Sequence, residues 1–228
     1  MTPKVIISYD GTANDQDALV LGRLFGSVGA ELELAYVRHS AEADPARERA
    51  AQQEAERLLA SGAESLGHPD AARHVVLSGS TGAGLRRLAE RVGADVVVFG
   101  SEYRTTPGHV APGTSAQRLL EGGPTAIALA PAGARTRGEL EVETIGVAAA
   151  DGDHSVRETA AALAQSAGAR VVDGESADLI VVGSRPDAPQ GRVLVSAANQ
   201  YLIETSERPV LVVPRGVAVP FRVPVGVA

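Results

Sequence analysis

The chain has 228 residues, of which 44% are hydrophobic, 21% charged and only 3% aromatic, and it contains no cysteine. This composition excludes a disordered or collagen-like chain, and the lack of cysteine excludes disulfides, thiolate zinc sites and cysteine nucleophiles. The formal net charge of −7 argues against a general binder of nucleic-acid backbones. The apolar runs are too short for a signal peptide or a membrane span, so we expect a cytoplasmic α/β protein without a membrane or nucleic-acid partner.

Short apolar runs alternate with helical patterns from the start of the chain, which predicts buried strands joined by helices. The first strand, at 5–7, ends in the turn Asp10-Gly11, and a helix follows it. Asp44 and Pro45 mark the cap and first residue of a charged helix that we expect to end near Leu66. The other predicted elements are strands at 32–38 and 74–77, a helix at 85–92, a strand at 96–99, a helix at 116–121 and a strand between Pro124 and Pro131.

The second part of the chain repeats this pattern in a shorter form. The segment Ala94–Ser101 recurs as Ala177–Ser184, and a strand at 145–148 precedes a helix for which Ser155 and Glu158 predict a capping box. The next strand, at 170–172, leads almost directly to Ala177. The second copy therefore lacks a helix, a strand and a further helix before its last strand, which lies between Pro209 and Pro214.

Alternating buried strands and helices predict an α/β fold with an open twisted parallel sheet and helices on both faces, duplicated with a shortened second copy. We assign a first domain to 1–131, a linker to 132–142, a truncated second domain to 143–216 and an apolar tail to 217–228. The small second domain is expected to pack on the first or on another subunit. For the tail, a groove, a neighbouring subunit and a frayed end all stay open.

Several strand ends predict a ligand site in the first domain, because ligands of open α/β sheets bind beyond the carboxyl ends of the strands. The ends concerned are Asp10, Val37 and Gly100-Ser101, and a loop leads from the last of them to Gly113-Thr114-Ser115 at a helix start. Glycines allow a phosphate close to the backbone, and helix N-terminal amides favour an anion. Asp10 suits an adenine amino group or a ribose hydroxyl. In the alternative interpretation the glycines are only turn residues and Thr114 or Ser115 only a cap.

This pattern resembles the universal stress protein family: a strand ending in Asp-Gly, the segment Ala94–Ser101, a Gly-Thr helix start and a strand between prolines. The resemblance covers nearly all of 3–131 and, in shortened form, 144–216. It implies binding of ATP or AMP, with Mg²⁺ possible beside ATP, in a stress-response or signalling protein without strong catalysis. The implied nucleotide-binding residues are Asp10 and Val37 at the base and ribose, and Gly100, Ser101, Gly113, Thr114 and Ser115 around the phosphates.

The resemblance also implies association of the sheets through their last strands, at 127–130 and 210–213. The result would be a homodimer or an intramolecular pseudo-dimer of the two domains. Such apolar edge strands are pairing templates if they are left uncovered.

The chain departs from the family's nucleotide motif at Tyr103, which stands where the second glycine is expected. In the second copy the motif positions are Gly183, Pro186, Ser196 and Ala197, so we expect binding in the first domain only, although Asp151 matches Asp10. An alternative function is that of a structural or interaction protein whose nucleotide sites have decayed in both domains. The direction in which Tyr103 points discriminates between the two.

Strong catalysis has little support in the sequence. No Gly-Lys-Ser/Thr motif is present, and the turn 10–14 lacks the Ser- and Gly-rich loop of adenylating or amidating enzymes, which leaves at most slow ATP hydrolysis. No two histidines have metal-ligand spacing, so no metal site of the chain's own is predicted.

Overall fold

The computed structural model describes residues 2–149, 153–174 and 176–221. Within 2–131, the first half, the strands are β1 (Lys4–Ser8), β2 (Glu31–Arg38), β3 (Ala72–Leu77), β4 (Val96–Gly100) and β5 (Ala126–Ala130), and the helices are α1 (Ala13–Ser27), α2 (Pro45–Leu66), α3 (Thr81–Val92) and α4 (Thr114–Leu120). Within 143–216, the second half, the elements are β6 (Thr144–Ala148), α5 (Ser155–Ala167), β7 (Arg170–Asp173), β8 (Leu179–Gly183), α6 (Ala197–Thr205) and β9 (Val210–Val213).

All these strands belong to one sheet, in the order β3-β2-β1-β4-β5-β9-β8-β6-β7. Every neighbouring pair is parallel except β5 and β9, which run antiparallel. The predicted fold class, an open and mostly parallel α/β sheet, is confirmed. Among the described residues the second half has no counterpart of α2, β3 and α3, in agreement with the shorter sequence pattern.

The two halves meet through a quasi-two-fold relation. Ala128 of β5 pairs with Leu211 of β9, and these residues stand 83 positions apart in the chain, at matching places in the two halves. The same spacing relates two reciprocal backbone hydrogen bonds, in which Val110 N–H donates to the Ser206 carbonyl (2.9 Å) and Val193 N–H to the Gly123 carbonyl (2.8 Å). Each half therefore offers the other the same surface, as in a symmetric dimer.

Helices cover both faces of the sheet, because the strands carry apolar side chains on each side. One core contains α1, α2 and α5, and the other contains α3, α4 and α6. Among the described residues the second half has no helix in the place of α3, and there the connection that leaves β7 passes over β6 at Gly174. A Cβ on Gly146 would lie 2.5 Å from the Gly174 carbonyl oxygen, so glycine is needed where this connection crosses.

The first residues of the apolar tail lie in the core. Phe221 is 2% exposed and stacks on Phe25 of α1, with 5.5 Å between the ring centroids. Val219 N–H donates to Thr159 Oγ1 of α5 (3.0 Å). The start of the tail thus packs in a groove between α1 of the first half and α5 of the second, which is one of the three expected positions. Residues 222–228 lie outside the described part.

The predicted linker is fastened to the first half by a buried carboxylate. Asp17 of α1 is 1% exposed and accepts hydrogen bonds from the backbone N–H groups of Gly133 (2.9 Å) and Arg135 (2.7 Å). The Arg135 guanidinium adds a third at 2.7 Å. These bonds hold a short 3₁₀ turn, Ala134–Thr136, against the start of α1.

One predicted helix start is confirmed and one is wrong. Asp44 Oδ1 accepts from the backbone N–H groups of Ala46 (2.7 Å) and Arg47 (3.0 Å), as the cap before Pro45 requires. Ser155, by contrast, is the first helical residue and not the cap, because Asp153 accepts from both its N–H (3.0 Å) and its hydroxyl (2.6 Å). No helix in the part of the chain that the structure describes is long and apolar enough to cross a bilayer.

Candidate functional site

A crevice of about 430 Å³ opens at the carboxyl ends of β1 and β4, between the first turns of α1 and α4. In the sheet, β1 lies between β2 and β4, so the chain continues from β1 on one side and later returns to its other side at β4. The crevice therefore lies at the point where the strand order reverses. The residues that line it are Ser8, Asp10, Thr12, Asn14, Asp15, Thr81, Phe99, Gly100, Ser101, Glu102, Tyr103, Gly113, Thr114, Ser115 and Ala116.

The structure brings six of the seven predicted site residues to this crevice, and Val37 is the exception. The Val37 side chain is 5% exposed and packs against the position of Gly84 in α3, away from the crevice. Its peptide groups face the same side of β2 as those of Ala35, because strand backbones alternate with a period of two. Tyr9 N–H donates to the Ala35 carbonyl (2.9 Å), so the Val37 peptide faces the space just beyond β1.

The two motif glycines of the crevice differ in whether packing requires a glycine at that position. A Cβ on Gly100 would collide with the backbone carbonyl of Asn14, so glycine is required there for the start of α1 to cross the end of β4. Gly113 has an ordinary φ of −70° and no atom within 4 Å of where its Cβ would be. Neither packing nor backbone conformation therefore explains glycine at position 113, where the backbone stays open to the crevice.

Ser101 reaches the crevice, but its hydroxyl is committed to the protein. The residue is 2% exposed, and its Oγ donates to the Ala130 carbonyl (2.7 Å) and accepts from Ala111 N–H (3.2 Å). Ser184 makes the matching bonds in the second half, to the Val213 carbonyl (2.8 Å) and from Leu194 N–H (3.3 Å). This hydroxyl therefore anchors the loop after β4 and leaves ligand contacts to other groups.

The first turn of α4 differs from its counterpart in the second half. α4 begins after Gly113, and within the described chain no side chain caps it. At the start of α6, Ser196 Oγ accepts from Asn199 N–H (3.1 Å), and Asn199 Nδ2 in turn donates to the Gly183 carbonyl (2.8 Å). The amides that would meet an anion are therefore capped in the second half and uncapped in the first. Asp151 lies outside the described residues.

Asp15 is a site residue that the sequence analysis missed. Its carboxylate accepts from the backbone N–H of Asp10 and from Thr12 N–H (3.3 Å), which Asp10 Oδ1 also contacts at 3.1 Å. Burial, and then the hydrogen bond with the Asp10 carboxylate, raise the pKa of Asp15 to about 8. The same hydrogen bond holds the pKa of Asp10 below its usual value. At neutral pH the pair therefore shares one proton and carries one negative charge. The spacing Thr12-x-x-Asp15, which resembles a capping box, was the available signal.

The crevice lining contains three carboxyl groups, those of Asp10, Asp15 and Glu102, and no lysine or arginine. Arg38, at the end of the neighbouring β2, is held by both oxygens of Glu48 at 2.8 Å each, and this guanidinium lowers the pKa of Glu48. Within the described residues no group of three or more His, Asp and Glu side chains is arranged to hold a metal ion. A phosphate here would be met by backbone amides and hydroxyls, with any positive charge brought by the ligand.

Tyr103 lies at the rim of the crevice and does not fill it. Its side chain is among those that line the opening, yet the residue is 68% exposed. The Arg104 guanidinium stands over its ring at 5.0 Å from the centroid. The tyrosine that replaces the motif glycine therefore leaves the entrance open, with an aromatic face at its edge.

Comparison with known proteins covers both the sequence and the fold. Residues 1–131 match the model of the universal stress protein family. No curated protein matches the chain. A universal stress protein structure from Archaeoglobus fulgidus DSM 4304 is similar with a TM-score of 0.71 and 14% identity, over 93% of this chain and 98% of that one. A putative universal stress protein from Pseudomonas aeruginosa UCBPP-PA14 has a TM-score of 0.60 and 13% identity, over 94% of each chain. At such identities the likeness concerns the fold.

Proposed function

The chain belongs to the universal stress protein family, and from that premise we propose that the crevice of its first half binds an adenine nucleotide, ATP or AMP. The protein would act in a cytoplasmic stress response or in signalling, without strong catalysis. The observation that carries the proposal is Gly113, which stands at the uncapped start of α4 and has open space beside its backbone, where a Cβ would meet no atom within 4 Å. A glycine at this position lets a phosphate approach the backbone closely, although glycine is also a favoured residue at a helix N-cap.

The crevice geometry supports a division of roles within the site. Asp10 carries the negative charge of the carboxyl pair and can accept a hydrogen bond from the adenine amino group or a ribose hydroxyl. The Val37 peptide faces the space beyond β1 and suits the base edge. The amides that follow Gly113, with the hydroxyls of Thr114 and Ser115, suit the phosphates.

ATP would need a counter-ion, because the lining has no cationic side chain. A Mg²⁺ ion bound to ATP would supply positive charge beside the phosphates. The carboxylate of Glu102, which also lines the crevice, is an oxygen ligand of the type that Mg²⁺ prefers.

We assign the second half a structural role as a shortened copy that completes an intramolecular pseudo-dimer. The antiparallel pairing of β5 with β9 supports this assignment, since it uses the last strand of each half. The Ser196 cap, and Pro186, which lacks an N–H, speak against a second nucleotide there.

Mass spectrometry of freshly purified, heat-denatured protein tests the proposal, and we expect it to release an adenine nucleotide. Calorimetric titration with ATP and AMP, with and without Mg²⁺, then measures the affinity. Gly113→Val should abolish binding and lower the melting temperature only slightly, because the added Cβ meets no protein atom within 4 Å and the main cost is a poorer N-cap residue. Ser196→Val is the matched control in the second half and should cost about 1 kcal/mol in stability through loss of the cap while binding persists.

A second candidate function is that of a structural or interaction protein whose nucleotide site has decayed. The specific observations that favour it are the carboxyl-rich lining without a cation, and Tyr103 in place of the motif glycine. Absence of both co-purified nucleotide and titration heat would decide for this function and against nucleotide binding.

A further inference from the structure

A second cavity, of about 350 Å³, lies at the junction of the two halves, between α4 and α6. Three pairs of its lining residues occupy matching positions, 83 residues apart: Pro112 and Val195, Gln117 and Gln200, and Leu120 and Ile203. The cavity therefore straddles the quasi-two-fold axis on which Ala128 and Leu211 pair. It is separate from the nucleotide crevice, which is built from the first half alone.

Backbone hydrogen bonds between the halves hold the walls of this junction cavity. Gly122 N–H donates to the Val193 carbonyl (2.7 Å), and Val193 N–H donates to the Gly123 carbonyl (2.8 Å). Leu120 and Ile203 are 4% and 1% exposed and belong to the core beneath. The cavity thus has an apolar, fixed floor with polar groups at the rim, as preformed small-molecule sites do.

The two charged side chains that line the cavity, those of Arg185 and Glu121, differ in whether they have an ion-pair partner. Arg185 is compensated by Asp187, with 2.9 Å between Nε and Oδ1. Glu121, whose backbone forms an isolated antiparallel bridge with Leu194, makes no ion pair or side-chain hydrogen bond among the described residues. Its counterpart Glu204 accepts from Gln200 Nε2 (3.0 Å) on the opposite side of the cavity. Glu121 is therefore the one carboxylate of the lining, and it has no ion-pair partner among the described residues, although the Arg192 guanidinium reaches the neighbouring Gly122 carbonyl (3.5 Å).

We propose that the junction cavity binds a small organic cation with an apolar body, namely an arylalkylamine of the benzylamine type. The ring would lie on Leu120 and Ile203, and the ammonium group would face Glu121. The amide oxygens of Gln117 and Gln200 provide further acceptors at the rim. An anion of the same shape would meet the uncompensated carboxylate, and a neutral analogue would lack the ion pair.

Three ligands that share one ring separate these cases: 4-(trifluoromethyl)benzylamine, the matching benzyl alcohol and the matching benzoate. Fluorine NMR titration of the full chain at pH 7 should show the amine binding tightest and the benzoate weakest. Glu121→Gln should weaken amine binding about two- to fivefold and leave the alcohol unchanged. Glu64→Gln removes another exposed charge, from α2 on the other face of the sheet, and should change the affinity for neither ligand.

Gln117→Trp places a large side chain at the exposed rim and should abolish binding of all three ligands. If this variant has a lower melting temperature, the test depends on Glu121→Gln instead. Glu121 is exposed at the end of α4, so its substitution should leave the fold unchanged. The proposal is overturned by benzoate binding as tight as amine binding, by amine affinity that Glu121→Gln does not change, or by no response of the wild type to the amine at millimolar concentration.

Discussion

The carboxylate of Asp15 accepts a hydrogen bond from the backbone N–H of Asp10, and the two side chains share a proton at the mouth of the crevice. Because the pKa of Asp15 is raised to about 8 in the folded protein, the folded state holds a proton that the unfolded chain releases near its ordinary pKa of 3.8. The folded state therefore loses stability as the pH rises from about 4 to 8.

Asp15→Asn tests this linkage, since the amide keeps an acceptor for the Asp10 N–H and a donor for the Asp10 carboxylate. We expect the free energy of unfolding of the variant, measured relative to that of the wild type, to rise by roughly 1–3 kcal/mol from pH 5 to pH 8. Denaturant unfolding at both pH values measures the difference. Parallel pH dependence of the two proteins would contradict the shared proton. Nucleotide affinity of the wild type should also fall above pH 8, where the pair gains a second negative charge.

The two motif glycines should respond oppositely to a methyl group. Gly100→Ala forces a Cβ into the Asn14 carbonyl and should destabilise the protein by about 3 kcal/mol or more. Gly113→Ala adds the same atom in open space and should change the free energy of unfolding by less than about 1 kcal/mol. Thermal denaturation of both variants checks the contrast, which equal melting temperatures would refute.

The buried carboxylate of Asp17 should be a major determinant of how the linker docks. Asp17→Ala leaves two backbone N–H groups and a guanidinium without their acceptor, so we expect a loss of about 3–5 kcal/mol. Asp173→Ala breaks an exposed ion pair with Arg157 and serves as the control, with at most about 1 kcal/mol lost. Chemical unfolding curves provide both values, and similar losses would show that the linker docks by other contacts.

The start of the tail should stabilise the association of the two halves. Phe221→Ala removes a buried ring from its stack on Phe25 and should cost about 2–4 kcal/mol. Val217→Ala, in the same segment but 45% exposed, should stay within about 0.5 kcal/mol. A near-neutral Phe221→Ala in equilibrium unfolding would indicate that the tail contributes little.

β5 and β9, the last strands of the two halves, pair with each other within one chain, so these strand edges are covered. We therefore expect light scattering coupled to size exclusion to give the mass of a single chain at micromolar concentration. A stable dimer would require another surface, such as the outer edge of β3 or β7.

The sequence by itself determined the local elements and their repetition. Apolar runs, helical stripes and caps such as Asp44 depend on neighbours a few residues apart, so the parallel α/β fold and the shortened second copy could be predicted. The family motif also indicated six of the fifteen residues that line the crevice. Position 155 shows the limit of local patterns, because the competing acceptor Asp153 took over the role expected of Glu158.

Only the tertiary structure decided the contacts between distant residues. Asp17 meets Arg135 across more than a hundred positions, Phe221 reaches Phe25 across nearly the whole chain, and β9 turns antiparallel against β5. It likewise placed Asp15 beside Asp10, turned the Val37 side chain away from the crevice and formed the junction cavity. Such pairings depend on how packed layers bring side chains together in space, and the local periodicity of a sequence carries no record of that arrangement.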